Sequence, residues 1–325
     1  MSAPSEPVQE QHSIGQKKVR RGDQVLAFLT TGSGIAIIAL VVLVGFYLLI
    51  TAIPSLAANQ VSFLTSREWD VSDPDNLRFG IVDLMWTTVL SSVIAMMLAV
   101  PIAIGVALFI TNYAPRRISK TLGYTVDLLA AVPSIIYGLW GIQVLAPIIK
   151  PFGDWLNDNL GWFPLFGDGI NSAGNVYTAS VVLAIMILPI ITAISREVFA
   201  QTPLLHKEAA LALGATRWEM IRTTVLPFGR AGVISGSMLG LGRALGETIA
   251  VTIILSKPAP GTPFNPSIFA GGETFASKIA NNAAEFDSPE KTGAYVAAGL
   301  VLFILTFVVN SIARAIINRR KEFTE

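Results

Sequence analysis

The sequence predicts an all-α membrane protein with six transmembrane helices and with both termini in the cytoplasm. Of its 325 residues, 52% are hydrophobic and only 14% are charged, a balance that is unusual for soluble domains. The chain holds six apolar stretches of the roughly 20 residues that a helix needs to cross a bilayer. Lys and Arg residues concentrate in alternate connections between these stretches, which sets the orientation.

The six predicted helices follow one another with polar connections between them. In chain order they cover residues 35–53, 83–111, 122–149, 177–195, 231–255 and 294–317. The first apolar core is longer than the 7–15 residues typical of a signal peptide, which favours an uncleaved helix. We expect a flexible cytoplasmic tail over 1–22, the first transmembrane helix and an outer loop over 23–79, and a core domain over 80–325.

The orientation of the chain in the membrane follows from the positions of its Lys and Arg residues. With the N-terminus inside, most of the 23 Lys and Arg residues lie in cytoplasmic segments, as the positive-inside rule requires. Cysteine is absent and only two histidines occur. Disulfides and thiolate chemistry are therefore excluded, and we expect no metal site and no catalytic residues on this chain.

An arginine and a glutamate interrupt the fifth apolar stretch, in the sequence GLGRALGETIAV at 240–251. Arg243 lies roughly 18 Å from either end of a straight helix over 231–255. A charge at that depth costs at least ~2.5–3.5 kcal/mol, so it is by default a functional candidate that faces protein or water. Glu247 follows at i+4, where the two side chains meet and can neutralise each other. A purely structural ion pair is the alternative, although an apolar pair is often as stable.

Glycines around Arg243 predict close approach of another helix or of a substrate. Gly232, Gly236 and Gly240 are spaced four residues apart, and so are Gly242 and Gly246. A guanidinium suits a tetrahedral oxyanion because it donates to two oxygens at once. Glu247 has two possible roles: it orients Arg243, or it accepts a hydrogen bond from a protonated anion such as hydrogen phosphate. The second role would disfavour sulfate.

A cytoplasmic hairpin is predicted over residues 201–230. Thr202 and Pro203 form a helix start, with an N-cap and a proline at the first helical position. Gly214 is a plausible helix stop. Thr216 and Glu219 have the spacing of a capping box and open a second short helix, which Pro227 ends or bends. The hairpin carries more apolar surface than a solvated linker needs and indicates a docking surface, with a hairpin resting on lipid as the alternative.

The same hairpin resembles the EAA signature of bacterial ABC-importer permeases, E-A-A followed by three residues, G, nine residues, I, one residue and L-P. Thr224 stands where the signature has isoleucine. The positions that match the signature are Glu208, Ala209, Ala210, Gly214, Leu226 and Pro227. The resemblance implies that these residues couple the chain to a cytoplasmic ATPase.

Three further stretches are similar to PstC-type phosphate permeases: MLGLGRALGETIAV, AVPSIIYGLWG at 131–141 and REVF at 196–199. The PstA-type permease usually has A-R-A-I-G-E-T, so Gly242 and Leu245 favour the PstC type. The resemblance covers most of the chain from about Gly80 onward. It implies a type I ABC importer permease fold, with residues 80–325 as the core permease domain, and a multi-pass protein of the bacterial plasma (inner) membrane.

The resemblance also implies a function and a set of partners. The chain is expected to be the permease subunit of an ATP-driven phosphate importer, with phosphate passing Arg243 and Glu247. Its expected partners are a second permease of the PstA type, an ATPase dimer of the PstB type and an extracytoplasmic phosphate-binding protein of the PstS type. The chain lacks a G-x-x-x-x-G-K-[ST] loop, so ATP and Mg²⁺ are expected on the partner ATPase and this chain is not expected to be an enzyme.

Three alternatives remain open at the level of sequence. A permease for sulfate or molybdate would also use an arginine. An ion-coupled secondary anion transporter could hold an ion pair at mid-membrane, but it has no need of the EAA spacing. A membrane scaffold that does not transport would tolerate an apolar pair in place of Arg243 and Glu247.

Overall fold

A computed structural model describes residues 21–170, 172–259 and 261–321, and almost all regular structure in them is helical. The α-helices are α1 Arg21–Ala58, α2 Val82–Leu108, α3 Arg116–Ala130, α4 Ser134–Trp140, α5 Ala146–Leu160, α6 Val176–Ala200, α7 Leu204–Ala212, α8 Arg217–Met220, α9 Leu226–Leu245, α10 Ile249–Ile254, α11 Phe275–Asn281 and α12 Pro289–Lys321. π-helical turns cover Phe109–Tyr113, Gly141–Leu145 and Ile221–Val225, and 3-10 turns cover Pro164–Phe166 and Ala283–Glu285. One antiparallel pair of strands, β1 Trp69–Asp70 and β2 Arg78–Phe79, joins Trp69 to Phe79 and Asp70 to Arg78.

The chain divides after Tyr47 into two units, residues 1–47 and 48–325. In the first unit, the described residues form the beginning of α1. The tail predicted over residues 1–22 lies outside the described residues, apart from the last two, which already belong to α1. The second unit contains the end of α1 and all other elements.

Five of the described helical segments are long and apolar enough to cross a membrane. They are Gln24–Ala58, Val82–Tyr113, Ser134–Leu160, Val176–Ala200 and Pro289–Ala315. The helices predicted over 35–53, 83–111, 177–195 and 294–317 fall within these segments or overlap them closely. The predicted third and fifth helices are not continuous, so the total of six spans stays a prediction.

A break at Pro133 divides the predicted third helix, residues 122–149. α3 ends at Ala130, and Pro133 has an extended backbone with ψ 139°. A proline disfavours helical geometry in the residue before it, here Val132, and cannot donate to the preceding turn. The apolar helix therefore begins at Ser134 and continues through a π-helical turn to Leu160, later in the chain than predicted.

Small residues hold the centre of the fold together. Ala95, Ala99, Ala103 and Ala107 recur every fourth position of α2 and are fully buried, and α2 packs along α6. Such a small-residue face lets two helices approach closely without large side chains between them. The main core lies between α2, α4, α6 and α10, and it supports the end of α9 through buried Ala244.

The loops at the end opposite the hairpin are folded rather than irregular. Lys278 on α11 forms a salt bridge of 3.0 Å with Glu273, and both side chains are almost fully buried. The Lys278 ammonium also lies 5.2 Å from the centre of the Trp69 ring on β1. Buried Tyr295 of α12 donates a hydrogen bond to Glu285 at 2.7 Å. These contacts fasten the β1–β2 pair, α11 and α12 to one another.

Candidate functional site

The predicted fifth helix is broken where its two charged residues lie. α9 ends at Leu245 with Gly246 as the C-cap, and α10 starts at Ile249. Glycine is the commonest residue where a helix stops because it has no Cβ to restrict the backbone. The expectation of one straight helix over 231–255 was wrong, and the break separates Arg243 from Glu247.

Glu247 caps the second half of the broken helix. Its side chain is buried, and Oε1 accepts a hydrogen bond of 3.1 Å from the Ala250 N–H. This N–H belongs to the first turn of α10, where backbone donors have no partner within the helix. The carboxylate is thus directed towards the start of α10.

Arg243 lies in the last turn of α9 and is partly exposed. No hydrogen bond or salt bridge joins its guanidinium to any of the residues that the structure describes. The expected ion pair with Glu247 is therefore not formed, because the i,i+4 arrangement requires a helix that continues through Gly246. A cation near a helix C-terminus is stabilised by the free carbonyl groups there.

Tyr137 of α4 lies near the end of α9, beside the residue that follows Arg243. Tyr137 packs in the same buried cluster as Ala244 of α9, and its hydroxyl group donates a hydrogen bond of 2.9 Å to the Leu129 carbonyl oxygen. The next residue, Gly138, lies so close to α10 that a Cβ there would be 3.0 Å from the Ala250 Cα. α4 therefore supports both sides of the break. The only sequence signal for this was the stretch AVPSIIYGLWG.

The two sets of glycines on α9 have different surroundings. Gly232, Gly236 and Gly240 face α6, where added Cβ atoms would meet Val198, Ile194 and Ile191. By contrast, a Cβ at Gly242 would have no described atom within 4 Å, and one at Gly246 would meet only a backbone oxygen of its own helix. The first set permits close packing inside the chain. The second set leaves open space beside Arg243.

The hairpin begins one residue later than expected. Pro203 is the N-cap of α7, and the Thr202 hydroxyl, although buried, has no hydrogen-bond partner among the described residues. Thr202 was therefore wrongly predicted as the capping residue. Gly214 follows the end of α7 with φ +84°, in the left-handed region that glycine adopts without strain. The helix stop at this position is confirmed.

The second part of the hairpin opens with the expected capping box. Glu219 accepts hydrogen bonds of 2.8 Å from both the backbone N–H and the hydroxyl group of Thr216, and Thr216 accepts one from the Glu219 N–H at 3.3 Å. The bonds from Thr216 hold the pKa of Glu219 below its usual value. This turn is thus fixed by local hydrogen bonds.

Pro227 neither ends nor sharply interrupts the second hairpin helix. α8 continues through the π-helical turn Ile221–Val225 into α9, and Pro227 occupies the first turn of α9. A wider turn accommodates a residue that has no N–H to donate. The predicted end of the helix at Pro227 was wrong, because one helical path runs from Arg217 to Leu245, and the alternative of a bend at Pro227 stays a prediction.

The EAA residues divide between an inner and an outer face. Ala210 and Leu226 pack against the buried cluster around Phe199 and Val225. Glu208 and Ala209 are exposed. Large apolar side chains accompany them on the surface, with Leu205 79% and Leu213 90% exposed. The hairpin therefore has a fixed inner face and an apolar outer face without a partner in the described residues.

A model of the family described as "Binding-protein-dependent transport system inner membrane component" matches residues 99–322. The chain belongs to this family. It is a multi-pass protein of the bacterial inner membrane and a transporter subunit rather than an enzyme. In this family the ATPase is a separate subunit to which the permease is coupled.

Curated relatives resemble this permease over nearly its whole length. "Phosphate transport system permease protein PstC 2" of Mycobacterium tuberculosis is 55% identical over 308 residues, which cover 94% of each chain. The PstC protein of Mycobacterium leprae is 58% identical over 273 residues, covering 83% of this chain and 85% of the relative. The PstC protein of Mesorhizobium japonicum is 37% identical over 332 residues, covering 98% of each.

A solved structure shares the fold of this permease. It is a bacterial ABC transporter involved in the import of the acidic polysaccharide alginate, with a TM-score of 0.51 and 17% identity, covering 76% of this chain and 80% of that one. At this identity the likeness concerns the fold alone. The chain accordingly has the fold of an ABC importer permease.

Proposed function

We propose that this chain is the PstC-type permease subunit of an ATP-driven phosphate importer, and that Arg243 is its contact for the transported anion. The curated relatives named as phosphate permeases support the substrate class. The observation that carries the role of Arg243 is that its guanidinium forms no hydrogen bond or ion pair with any described residue, while the neighbouring positions Gly242 and Gly246 border open space. An unpaired cation in an apolar setting favours an anionic ligand.

Glu247 has two roles in this proposal, and neither of them is an ion pair with Arg243. Its Oε1 already caps α10, so Glu247 holds the break open and keeps Arg243 free. Its second oxygen remains available to accept a hydrogen bond from the O–H group of hydrogen phosphate, a donor that sulfate lacks at neutral pH. One carboxylate would thus hold the helix break beside Arg243 and also favour hydrogen phosphate over sulfate.

The continuous path from Arg217 to Leu245 provides a physical route for coupling. It spans about 40 Å at 1.5 Å per residue and joins the hairpin at one end to Arg243 near the other. A displacement of the hairpin by the ATPase would be carried along this helix to the anion contact. The EAA residues Glu208, Ala209, Ala210, Gly214, Leu226 and Pro227 would form or support the surface that the ATPase moves.

The remaining partners follow from the same proposal. A PstA-type permease would face Gly242 and Gly246 and complete the pathway. Two PstB-type ATPase subunits would bind ATP and Mg²⁺, and a PstS-type protein would deliver phosphate from outside. This chain would supply neither nucleotide binding nor chemistry.

Uptake of labelled phosphate tests the substrate. Cells that lack their own permease would be complemented with wild type, Glu247→Gln or the control Arg78→Gln, which alters an exposed arginine paired with Glu68. We expect wild type and the control to take up phosphate, and we expect excess sulfate or molybdate not to inhibit this uptake. In Glu247→Gln, sulfate should compete with phosphate more strongly. Uptake that sulfate or molybdate suppresses more strongly than unlabelled phosphate does would refute the phosphate assignment.

A second arm of the experiment tests the source of energy. The permease reconstituted alone would be compared with the complete complex and ATP. Transport only by the complex is the expected result, whereas transport by the isolated chain would indicate an ion-coupled carrier.

A further inference from the structure

A second candidate site lies on the hairpin side of the chain, away from Arg243. A cavity of about 490 Å³ opens between the π-helical turn that follows α2, one side of α3, the end of α6 and α7. Its volume falls within the roughly 300–1,000 Å³ range of small-ligand sites. Because α2 and α6 are candidate membrane spans, a cavity at their ends lies near the membrane surface.

Three cationic side chains from three different elements line this cavity. They are Lys120 of α3, Arg196 of α6 and Lys207 of α7. The cavity also contains two carboxylates, Asp127 and Glu197, so its formal charge is positive. A positive cavity built from separate elements is suited to an anion that can contact all of them.

The two carboxylates already have partners. Arg196 Nη2 donates to both oxygens of Asp127 at 3.2 Å, and Glu197 accepts a hydrogen bond of 3.3 Å from Gln201. Among the described residues, no carboxylate lies within salt-bridge distance of Lys120 or Lys207. Both ammonium groups are thus left without a counterion.

The floor of the cavity is shaped by Gly123. A Cβ at this position would collide with Arg196 Nη1, so the absence of a side chain is what allows the guanidinium to cross α3. The hydroxyl groups of Thr111 and Ser119, which also line the cavity, donate to backbone carbonyl oxygens. The donors left for a ligand are therefore the two ammonium groups and the remaining N–H groups of Arg196.

Partial burial disfavours the charged form of the Lys207 ammonium group. Desolvation lowers the pKa of its ammonium group, as expected for a charge removed from water without a compensating partner. An anion in the cavity would supply that partner.

We propose that this cavity binds a phosphate group, carried either by an anionic phospholipid or by inorganic phosphate. Lysine ammonium groups and arginine are the usual protein ligands of phosphate oxygens. Basic pockets between membrane helices on the cytoplasmic side are typical sites for anionic lipid headgroups. The exposed Tyr124 ring at the cavity edge suits the membrane interface, where aromatic side chains concentrate.

Binding there would link the hairpin to the membrane helices. Lys207 belongs to α7 and directly precedes Glu208 of the EAA signature, whereas Lys120 and Arg196 belong to α3 and α6. A phosphate group bound by all three would restrain α7 against the rest of the chain. This inference does not depend on what Arg243 binds.

The lipid arm of the test uses the full-length chain in phosphatidylcholine nanodiscs, with or without phosphatidylglycerol, and native mass spectrometry of retained lipid. Wild type would be compared with Lys120→Gln/Lys207→Gln. The matched control, Lys150→Gln/Lys257→Gln, removes two lysines at the opposite end of the membrane helices. A Lys120→Arg/Lys207→Arg variant keeps the charge and controls for effects on folding.

The phosphate arm measures binding of labelled inorganic phosphate in pure phosphatidylcholine nanodiscs. All proteins in this arm carry Arg243→Gln, which removes the proposed transport contact from the measurement. Failure of the transport proposal is thereby kept separate from failure of this one.

We expect wild type to bind its ligand in one of the two arms. The affinity should fall at least about tenfold in Lys120→Gln/Lys207→Gln, equivalent to ~1.4 kcal/mol. It should persist in the control lysine variant and in Lys120→Arg/Lys207→Arg. Binding in the lipid arm identifies a phospholipid, and binding in the other arm identifies free phosphate. No binding in either arm, or equal loss in the control lysine variant, would overturn the proposal.

Discussion

Gly240 and Gly242 provide a paired test of how α9 is packed, because an added methyl group meets different surroundings at each. At Gly240 the new Cβ would lie 2.8 Å from Ile191 Cδ1 and 2.9 Å from Cγ1, and Ile191 is fully buried. At Gly242 it would meet no described atom within 4 Å.

The expected magnitudes follow from two opposing effects. Replacing glycine by alanine inside a helix stabilises it by about 1 kcal/mol. Forcing a methyl group into a filled core costs about 1–3 kcal/mol. Gly240→Ala should therefore lower the free energy of unfolding by roughly 0–2 kcal/mol, whereas Gly242→Ala should raise it by up to about 1 kcal/mol.

The assay is thermal unfolding of the purified chains, measured in the same detergent and at the same protein concentration. We expect Gly240→Ala to unfold several degrees below Gly242→Ala. Equal midpoints, or the reverse order, would refute the packing of α9 against α6 at this position. A companion variant, Gly242→Leu, should abolish transport without lowering the unfolding midpoint, since it fills only open space and also replaces a glycine within a helix.

Further predictions concern the buried ion pair between Lys278 and Glu273 and the hairpin. Lys278→Met should strongly lower the thermal midpoint of the purified chain, because losing one member of a buried ion pair costs about 3–5 kcal/mol. Adding Glu273→Leu should restore much of the lost stability. An unchanged midpoint in Lys278→Met would contradict this prediction. Thr216→Val should cost about 1 kcal/mol of local stability and speed amide exchange in the hairpin, with no change expected in α6. The lowered pKa of Glu219 means that its contribution is complete above its ordinary pKa of about 4.5 and is lost as pH falls below it. Acidification from pH 6 to pH 3.5 should therefore change Trp218 emission more in wild type than in Glu219→Gln, and equal changes would count against the capping box.

Local signals in the sequence predicted the parts of the structure that depend on neighbouring residues. The capping box at Thr216 and Glu219 and the stop at Gly214 involve contacts over a few positions, so their residue types and spacing were sufficient. The long apolar helices around α2, α6 and α12 were predicted for the same reason, since hydropathy and length are properties of one segment.

The errors arose where distant contacts decide the backbone. The mean hydropathy over 231–255 does not reveal the break at Gly246. This break is stabilised by the hydrogen bond from the Ala250 N–H to Glu247 and by α4 lying against α10. The π-helical turn before Pro227 depends on packing around Phe199, far away in sequence. The cavity beside Lys207 likewise forms only where four separate elements meet, so its lysine and arginine residues were seen in the sequence only as basic connections.

The proposed anion contact at Arg243 is tested most directly by uptake of labelled phosphate, measured with the assembled complex carrying Arg243→Gln or the double substitution Arg243→Leu/Glu247→Leu. Membrane expression and association with the ATPase would first be matched to wild type. Both variants are expected to lose uptake, and the apolar double should transport no better than Arg243→Gln. Normal uptake by the apolar double would contradict this expectation, because Arg243 would then be structural and the anion contact would lie elsewhere.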